Sequence, residues 1–361
     1  MPLDTYYTLG RSGLRVSRLA LGTMTFAQDG WGCDRDTAGK ILDVYLDAGG
    51  NFVDTADIYS SGASEEVTGA LIAERGIRDK IVLSTKFTLG VQPGDPNSAG
   101  NGRKSMLRAL EGSLRRLGTD YVDLYIVHAW DTLTPVEEVM RGLDDLVSSG
   151  KVRYVAFSDV PAWYAARAQT LAEWRGYERL CALQLEYSLA ERGIEYEFPD
   201  LCQELGLGLM TWAPLGNGLL SGKYSDSSET QDPSDGRITV TAAHVPADLD
   251  KRNQQRNWQI VAELTDVAKR VGRTPAQVAV NWVANRPAVG SVILGATKPH
   301  QLQDTVASLD FTLPAELAAR LDEVSTPPRA VPYGFLPWLQ GRINAGLADK
   351  RPGYFASRSG R

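Results

Sequence analysis

Eight short apolar runs, each followed by a longer amphipathic stretch, punctuate this chain of 361 residues. The runs cover residues 19–24, 51–56, 81–87, 121–129, 152–159, 181–188, 207–214 and 290–296. Most are near-continuous in apolar character rather than alternating, which is the pattern of parallel strands covered by helices. The stretches between them carry helix signals. Leu107, Leu110, Leu114 and Leu117 share one face, and Gly118 stands where that helix should stop. Thr134-Pro135-Val136-Glu137 reads as an N-cap, a proline at the first helical position and a capping acid. Val139, Met140, Leu143, Leu146 and Val147 then form a buried face that Gly150 closes. Thr274-Pro275-Ala276-Gln277 repeats the start signal before Val278, Val280 and Trp282. Eight such units predict an α/β fold, a single (β/α)8 TIM barrel; an open doubly wound sheet is the other arrangement of this alternation.

Three segments fall outside the repeat. Residues 1–18, with Arg11-Ser12-Gly13 at the turn, predict an N-terminal β-hairpin. Residues 225–253 form a polar, turn-rich loop after the seventh strand. Beyond the barrel (19–325), the tail 326–361 carries Tyr333, Phe335, Trp338 and Tyr354 without clear periodicity and reads as a C-terminal cover. All of it is expected to form one domain, 1–361.

Composition removes several function classes. The net charge of −6 leaves no basic excess to neutralise phosphates, so nucleic acid is not an expected partner. No apolar run reaches the ~18 residues of a membrane span, and Met1-Pro2-Leu3-Asp4-Thr5 lacks the features of a signal peptide. Cys33, Cys181 and Cys202 are odd in number and widely spaced, which fits a reducing, cytoplasmic setting. His128, His244 and His300 form no H-x-H or H-E-x-x-H pair and no Cys-x-x-Cys occurs, so no metal is expected. Gly216-Asn217-Gly218-Leu219-Leu220-Ser221-Gly222 only faintly follows a dinucleotide loop, and Gly222-Lys223-Tyr224 lacks the Ser/Thr and upstream glycine of a P-loop. Both read as loop glycines.

In a parallel barrel, chemistry gathers where the strands end. Those ends carry Asp54 after the second run, Lys86 after the third and His128 after the fourth, with Tyr59 in the loop five residues past Asp54. Each alone has a plain reading: a lysine reaching solvent, a rim aromatic, an aspartate capping a turn. Together they make coherent chemistry. A buried ammonium needs the Asp54 carboxylate, and a cation beside a phenol favours phenolate, lowering the tyrosine pKa. The set suits protonating an oxygen while something else attacks carbon. A Schiff-base lyase using Lys86 conflicts with a carboxylate holding that amine charged, and a glycosidase would need Asp54 and Asp57 both to face the mouth.

The stretch Asp54-Thr55-Ala56-Asp57-Ile58-Tyr59, followed by Ser64-Glu65-Glu66, resembles the D-T-A-x-x-Y-x-x-G-x-S-E segment of the aldo-keto reductases. Ser84-Thr85-Lys86 and Asp123-Leu124-Tyr125-Ile126-Val127-His128 resemble that family's lysine and histidine strands. The resemblance, from about Leu9 to Leu321, lies with the potassium-channel β-subunit-like and bacterial branch. It implies an NADP-dependent oxidoreductase interconverting a small-molecule carbonyl and an alcohol, with NADPH or NADP+ extended across the mouth. Tyr59 would be the proton donor, Lys86 would tune it, Asp54 would hold Lys86, and His128 would orient the carbonyl.

The same resemblance assigns a cofactor surface. Gly22, Thr23 and Met24 would run beside the ribose, with Asp54 beneath. Ser158, Asp159 and Gln184 would hold the carboxamide, Asp159 replacing the commoner asparagine. Trp212 would stack on the nicotinamide within Trp212-Ala213-Pro214-Leu215, and Gly216 and Lys223 would line the pyrophosphate. Gly295, Thr297, Lys298, Gln301, Asp304 and Thr305 would form the adenosine pocket. Thr297 and Thr305 replace arginine and asparagine there, which leaves NADH possible. Trp130 is the expected wall of the substrate pocket, with Phe335 and Trp338 of the tail as further contacts. The alternative function is a cofactor-binding regulatory subunit with slow turnover. The sequence leaves oligomeric state open.

Overall fold

In the computed structural model, described for residues 3–92, 94–224, 254–328 and 330–343, the chain opens with a hairpin of β1 (Tyr6–Thr8) and β2 (Arg15–Ser17). Eight parallel strands then close into a barrel. They are β3 (Leu19–Gly22), β4 (Phe52–Asp54), β5 (Val82–Phe87), β6 (Val122–Val127), β7 (Val152–Ser158), β8 (Leu180–Glu186), β9 (Gly208–Trp212) and β10 (Val289–Leu294). Each pairs with its chain neighbours, and β10 closes on β3. All eight expected strands are present. All the sequence runs but the third, which ends with β5 at Phe87, extend past their strands into the loops that carry the site.

The strands are buried on both faces, which is why they read as continuous apolar runs. Ala20, Phe52, Val82, Leu124, Ile126, Ala156, Ala182, Met210 and Ile293 fill the barrel interior, and Leu9, Leu14 and Val16 of the hairpin join that same cluster from below. The hairpin is thus a stopper. Gly10 makes the contact possible: with φ +60° its missing Cβ would lie 2.5 Å from the Cys181 carbonyl oxygen.

Outside the strands lie α1 (Arg35–Asp47), α2 (Ala63–Arg75), α3 (Arg103–Leu117), α4 (Val136–Ser148), α5 (Ala162–Arg175), α6 (Phe198–Leu205), α7 (Gln255–Val271), α8 (Pro275–Ala284) and α9 (Pro299–Val306), followed by α10 (Ala315–Val324). Among the described residues no helix is long and apolar enough to cross a membrane. Gly118 ends α3 in the left-handed conformation, as its spacing predicts. The start of α4 departs from expectation: the Thr134 hydroxyl bonds Asp131 Oδ2 at 2.5 Å instead of capping the helix, and the regular turns begin at Val136. The tail, predicted without periodicity, forms α11 (Leu336–Ile343). Residues 225–253 and Tyr354 lie outside the described residues.

The expected capping box of α8 is complete. Thr274 Oγ1 accepts from the Gln277 backbone N–H at 3.1 Å, and Gln277 Oε1 accepts from the Thr274 N–H at 3.2 Å. Replacing Thr274 by alanine removes one half of this exchange and should lower stability by about 1 kcal/mol. Urea denaturation of the two proteins measures it, and an unchanged midpoint would show that the cap contributes nothing.

Candidate active site

Asp54 ends β4 level with Ser84 on β5, and Lys86 stands one inward-facing position higher on β5. The barrel therefore stacks the ammonium above the carboxylate. Lys86 Nζ donates to Asp54 Oδ2 at 2.6 Å and to the Thr55 carbonyl at 2.7 Å, and lies 3.2 Å from Tyr59 Oη. Both charged side chains are buried, Lys86 completely. Burial opposes the Lys86 charge, but Asp54 and Tyr59 outweigh it and raise the pKa above its ordinary value. The lysine stays an ammonium. Asp54 Oδ1 accepts from Ser84 Oγ at 2.7 Å and from Gln184 Nε2 at 3.1 Å. All the recorded partners of the carboxylate come from the barrel wall.

Tyr59 reaches this pair from a loop of unusual backbone. Ser60, Ser61 and Gly62 follow it with φ of +49°, +54° and +98°. Two non-glycine residues in the left-handed region cost energy that neighbours must hold. Ser60 Oγ donates to the Phe26 carbonyl at 3.1 Å, and beyond the turn Ser64 Oγ donates to the Thr23 carbonyl at 2.7 Å. Behind the loop, Glu65 is fully buried and bonded to Thr85 Oγ1 and Arg116 Nε at 2.5 and 2.7 Å. Asp57 is buried beside it with Oδ1 unpartnered; burial, with Glu65 adding, pushes its carboxyl up to about 7. This supporting group of Asp57, Glu65 and Arg116 is not legible in the sequence, because it forms only when α2 and α3 pack side by side.

His128 follows β6, and its ring meets the Tyr59 ring edge-on with centroids 5.9 Å apart. Its Nδ1 is buried without a partner. Burial, with the Lys86 ammonium adding, pushes its pKa down to about 3. The imidazole is therefore neutral across the physiological range. The structure brings Asp54, Tyr59, Lys86 and His128 together, and it adds Ser84 and the Thr55 carbonyl, which the sequence analysis did not single out as site groups. Their signal was spacing: Ser84 shares the inward face of β5 with Lys86.

Around these four lie the other expected positions. Asp159, exposed to the mouth with φ +46°, accepts from Trp212 Nε1 at 3.2 Å and from Ser158 Oγ at 3.2 Å. Protein atoms still crowd its carboxyl, and burial raises its pKa to about 6. Thr23 donates its backbone N–H to the Asp54 carbonyl at 2.9 Å, between Gly22 and Met24. After Trp212 come Ala213 in the left-handed region, buried Pro214, Leu215, and a turn in which Gly216, Asn217 and Gly218 all have positive φ. Lys223 is exposed nearby, its Nζ over the Tyr224 ring.

At the foot of α9, Gln301 Oε1 accepts from the Thr297 and Lys298 backbone N–H groups at 2.8 and 3.1 Å. Asp304 Oδ2 accepts from Thr274 Oγ1 at 2.9 Å, and Thr305 turns its hydroxyl into its own helix. The fold already uses Asp304 and Thr305; Gly295 and Lys298 are the exposed members of that group.

Trp130 is half-buried in an aromatic cluster with Trp163 and Tyr164, at 5.5 and 6.0 Å between centroids. In the tail, Tyr333 stacks on Tyr196 and donates to Glu197 Oε1 at 2.6 Å, which anchors it to the loop after β8. Phe335 and Trp338 are exposed, and Trp338 lies under Arg342 of its own helix. Among the described residues no group of three His, Cys, Asp or Glu side chains is placed to hold a metal ion.

A neutral His128 has a direct test. Its ring-proton NMR signals should not titrate between pH 5 and 8, where an ordinary histidine changes charge near 6.5. A midpoint near 6.5 would mean that the imidazole is hydrated and accepts a proton in the resting protein.

The chain is similar to known proteins over most of its length. The model of the Aldo/keto reductase family matches residues 18–326. "Uncharacterized oxidoreductase YrpG" of Bacillus subtilis is 37% identical over 329 residues, covering 88% of this chain and 95% of the relative. "Aryl-alcohol dehydrogenase GME11368" of Pestalotiopsis microspora is 34% identical over 313 residues, 84% of this chain and 78% of its own. "Probable voltage-gated potassium channel subunit beta" of Oryza sativa is 35% identical over 342 residues, 91% of this chain and 99% of its own. A closed eight-stranded barrel with an Asp–Lys–Tyr–His group at its mouth, matched over most of its length, is a member of the aldo/keto reductase family.

Proposed function

We propose that this protein is an NADPH-dependent carbonyl reductase, reversible as an alcohol dehydrogenase, in which Tyr59 gives its phenolic proton to the carbonyl oxygen. The observation that carries the reading is the Lys86 ammonium, fixed by Asp54 at 2.6 Å and lying 3.2 Å from Tyr59 Oη. An ammonium there stabilises the phenolate left behind by proton donation. The neutral His128 ring beside Tyr59 offers a hydrogen bond to the same oxygen without competing for the proton. The cofactor supplies a hydride to the carbonyl carbon.

The residues present fit a nicotinamide cofactor, the kind that serves this family. Ser158, Asp159 and Gln184 offer a hydroxyl, a carboxylate and an amide suited to a carboxamide. Trp212 offers a flat, half-buried indole for a ring to lie on. The positive-φ turn Gly216–Gly218, with Lys223 beside it, suits a pyrophosphate. Gly22, Thr23 and Met24 border the mouth above Asp54. Lys298, exposed beside Thr297 and Gln301, is the cation available to a 2′-phosphate.

The aromatic cluster of Trp130, Trp163 and Tyr164 favours aryl carbonyls and alcohols as substrates, in keeping with the aryl-alcohol dehydrogenase relative. Phe335 and Trp338 of the tail, both exposed, would be further substrate contacts. The channel-subunit relative suggests a regulatory role with slow turnover on the same scaffold. Turnover with a panel of aldehydes and ketones separates the two readings.

Tyr59→Phe keeps the ring and removes the proton. Carbonyl reduction should fall by about 10²–10⁴-fold, with NADPH binding retained; reduction at the wild-type rate would overturn the assignment. A second substitution tests cofactor choice. A cation binds a phosphate more strongly than a hydroxyl does, so Lys298→Ala should narrow the gap in KM between NADPH and NADH. Equal losses with both would show that Lys298 does not read the phosphate.

A further inference from the structure

Asp159 is the one acidic side chain in the proposed carboxamide-binding set, and the fold holds it rigidly. Its backbone N–H donates to the Gln184 carbonyl at 3.2 Å, and its own carbonyl accepts from Trp130 N–H at 3.3 Å. One carboxylate oxygen is fixed by the Trp212 indole and the other by Ser158 Oγ. Asp159 is exposed at the end of β7, and the Trp212 indole bonded to it is half-buried. Two charged groups act on it: Glu186, on the neighbouring strand β8, and Lys86, already engaged by Asp54.

Resting on the cofactor reading above, we propose that the Asp159 carboxylate sets which redox form of the cofactor the protein holds more tightly, favouring the oxidised, cationic nicotinamide over the reduced, neutral one. An asparagine would make similar hydrogen bonds but carry no charge. A carboxylate beside a cationic ring in a part-hydrated mouth shifts relative affinity by roughly tenfold. Reduction moves a hydride from the neutral ring to the carbonyl carbon and a proton from Tyr59 to the oxygen, leaving the ring positive. Asp159 stabilises that positive charge and so biases the bound equilibrium towards the alcohol.

The test is binding, without substrate. Asp159→Asn is close in shape, keeps an acceptor for the Trp212 indole, and asparagine tolerates the left-handed backbone that position 159 requires. Dissociation constants for NADP+ and NADPH, measured by calorimetry at pH 8, give the ratio Kd(NADPH)/Kd(NADP+). It should fall roughly tenfold in the variant, mainly through weaker NADP+ binding. In the wild type the ratio should also shrink as pH falls through about 6, where the carboxylate takes up a proton; in Asp159→Asn it should stay flat. An unchanged ratio, or equal weakening of both forms, overturns the proposal. So does a ratio that moves in Asp159→Ala but not in Asp159→Asn, which would assign the effect to the orientation of Trp212. If wild-type protein binds neither dinucleotide, the cofactor reading itself fails.

Discussion

A charged lysine buried completely inside the barrel is the constraint to which the rest of the site answers. Removing one member of such a pair leaves the other charge without compensation, at a cost of about 3–5 kcal/mol. Lys86 is held by the Asp54 carboxylate and the Thr55 carbonyl, and Asp54 in turn by Ser84 and Gln184. Those residues come from the adjacent strands β4 and β5, from the position just after β4, and from β8 across the barrel. The ammonium therefore reports on closure: the barrel must be complete before the charge is fully compensated. An interaction that costs desolvation energy is retained because it keeps a positive charge beside Tyr59, fixed and shielded from water.

The flanking groups follow the same logic of fixed charge in a dry setting. His128, close to Lys86 and buried, is neutral for both reasons, so it can act as a hydrogen-bonding group rather than as a second cation. Asp57 and Glu65, buried side by side with Arg116, place a second electrostatic group directly behind the Tyr59 loop. The left-handed run from Ser60 to Gly62 is held between that group and the first loop of the barrel, where the Phe26 carbonyl accepts from Ser60 and the Thr23 carbonyl from Ser64 just beyond the run.

Much of this was legible in the sequence for a physical reason. Strands buried on both faces leave near-continuous apolar runs, so all eight could be located, and the chemistry sits immediately after them, so Asp54, Lys86 and His128 could be picked out by position. Local exchange of hydrogen bonds was legible too, as at Thr274 and Gln277. What stayed hidden depends on contacts remote in sequence or on competition between neighbours. The bond from Gln184 to Asp54 spans 130 positions and exists only in the closed barrel. At Thr134 the cap signal was present, but Asp131 three residues upstream captured the hydroxyl. At α9, motif similarity could group Asp304 with a ligand pocket, but its bond to Thr274 at the start of α8, 30 positions away, appears only when the two helices pack.

The hairpin stopper carries a consequence for traffic. Leu9, Leu14 and Val16 extend the packed interior of the barrel to its lower end, so the site opens only at the upper rim. Under the proposed function, substrate, product and the proton that would recharge Tyr59 would all pass the same rim. A molecule seated at the rim thus also governs when the tyrosine can exchange its proton with bulk water. Occupancy and proton supply would then be successive events at a single opening, an ordering imposed by the packed barrel interior that the hairpin closes from below.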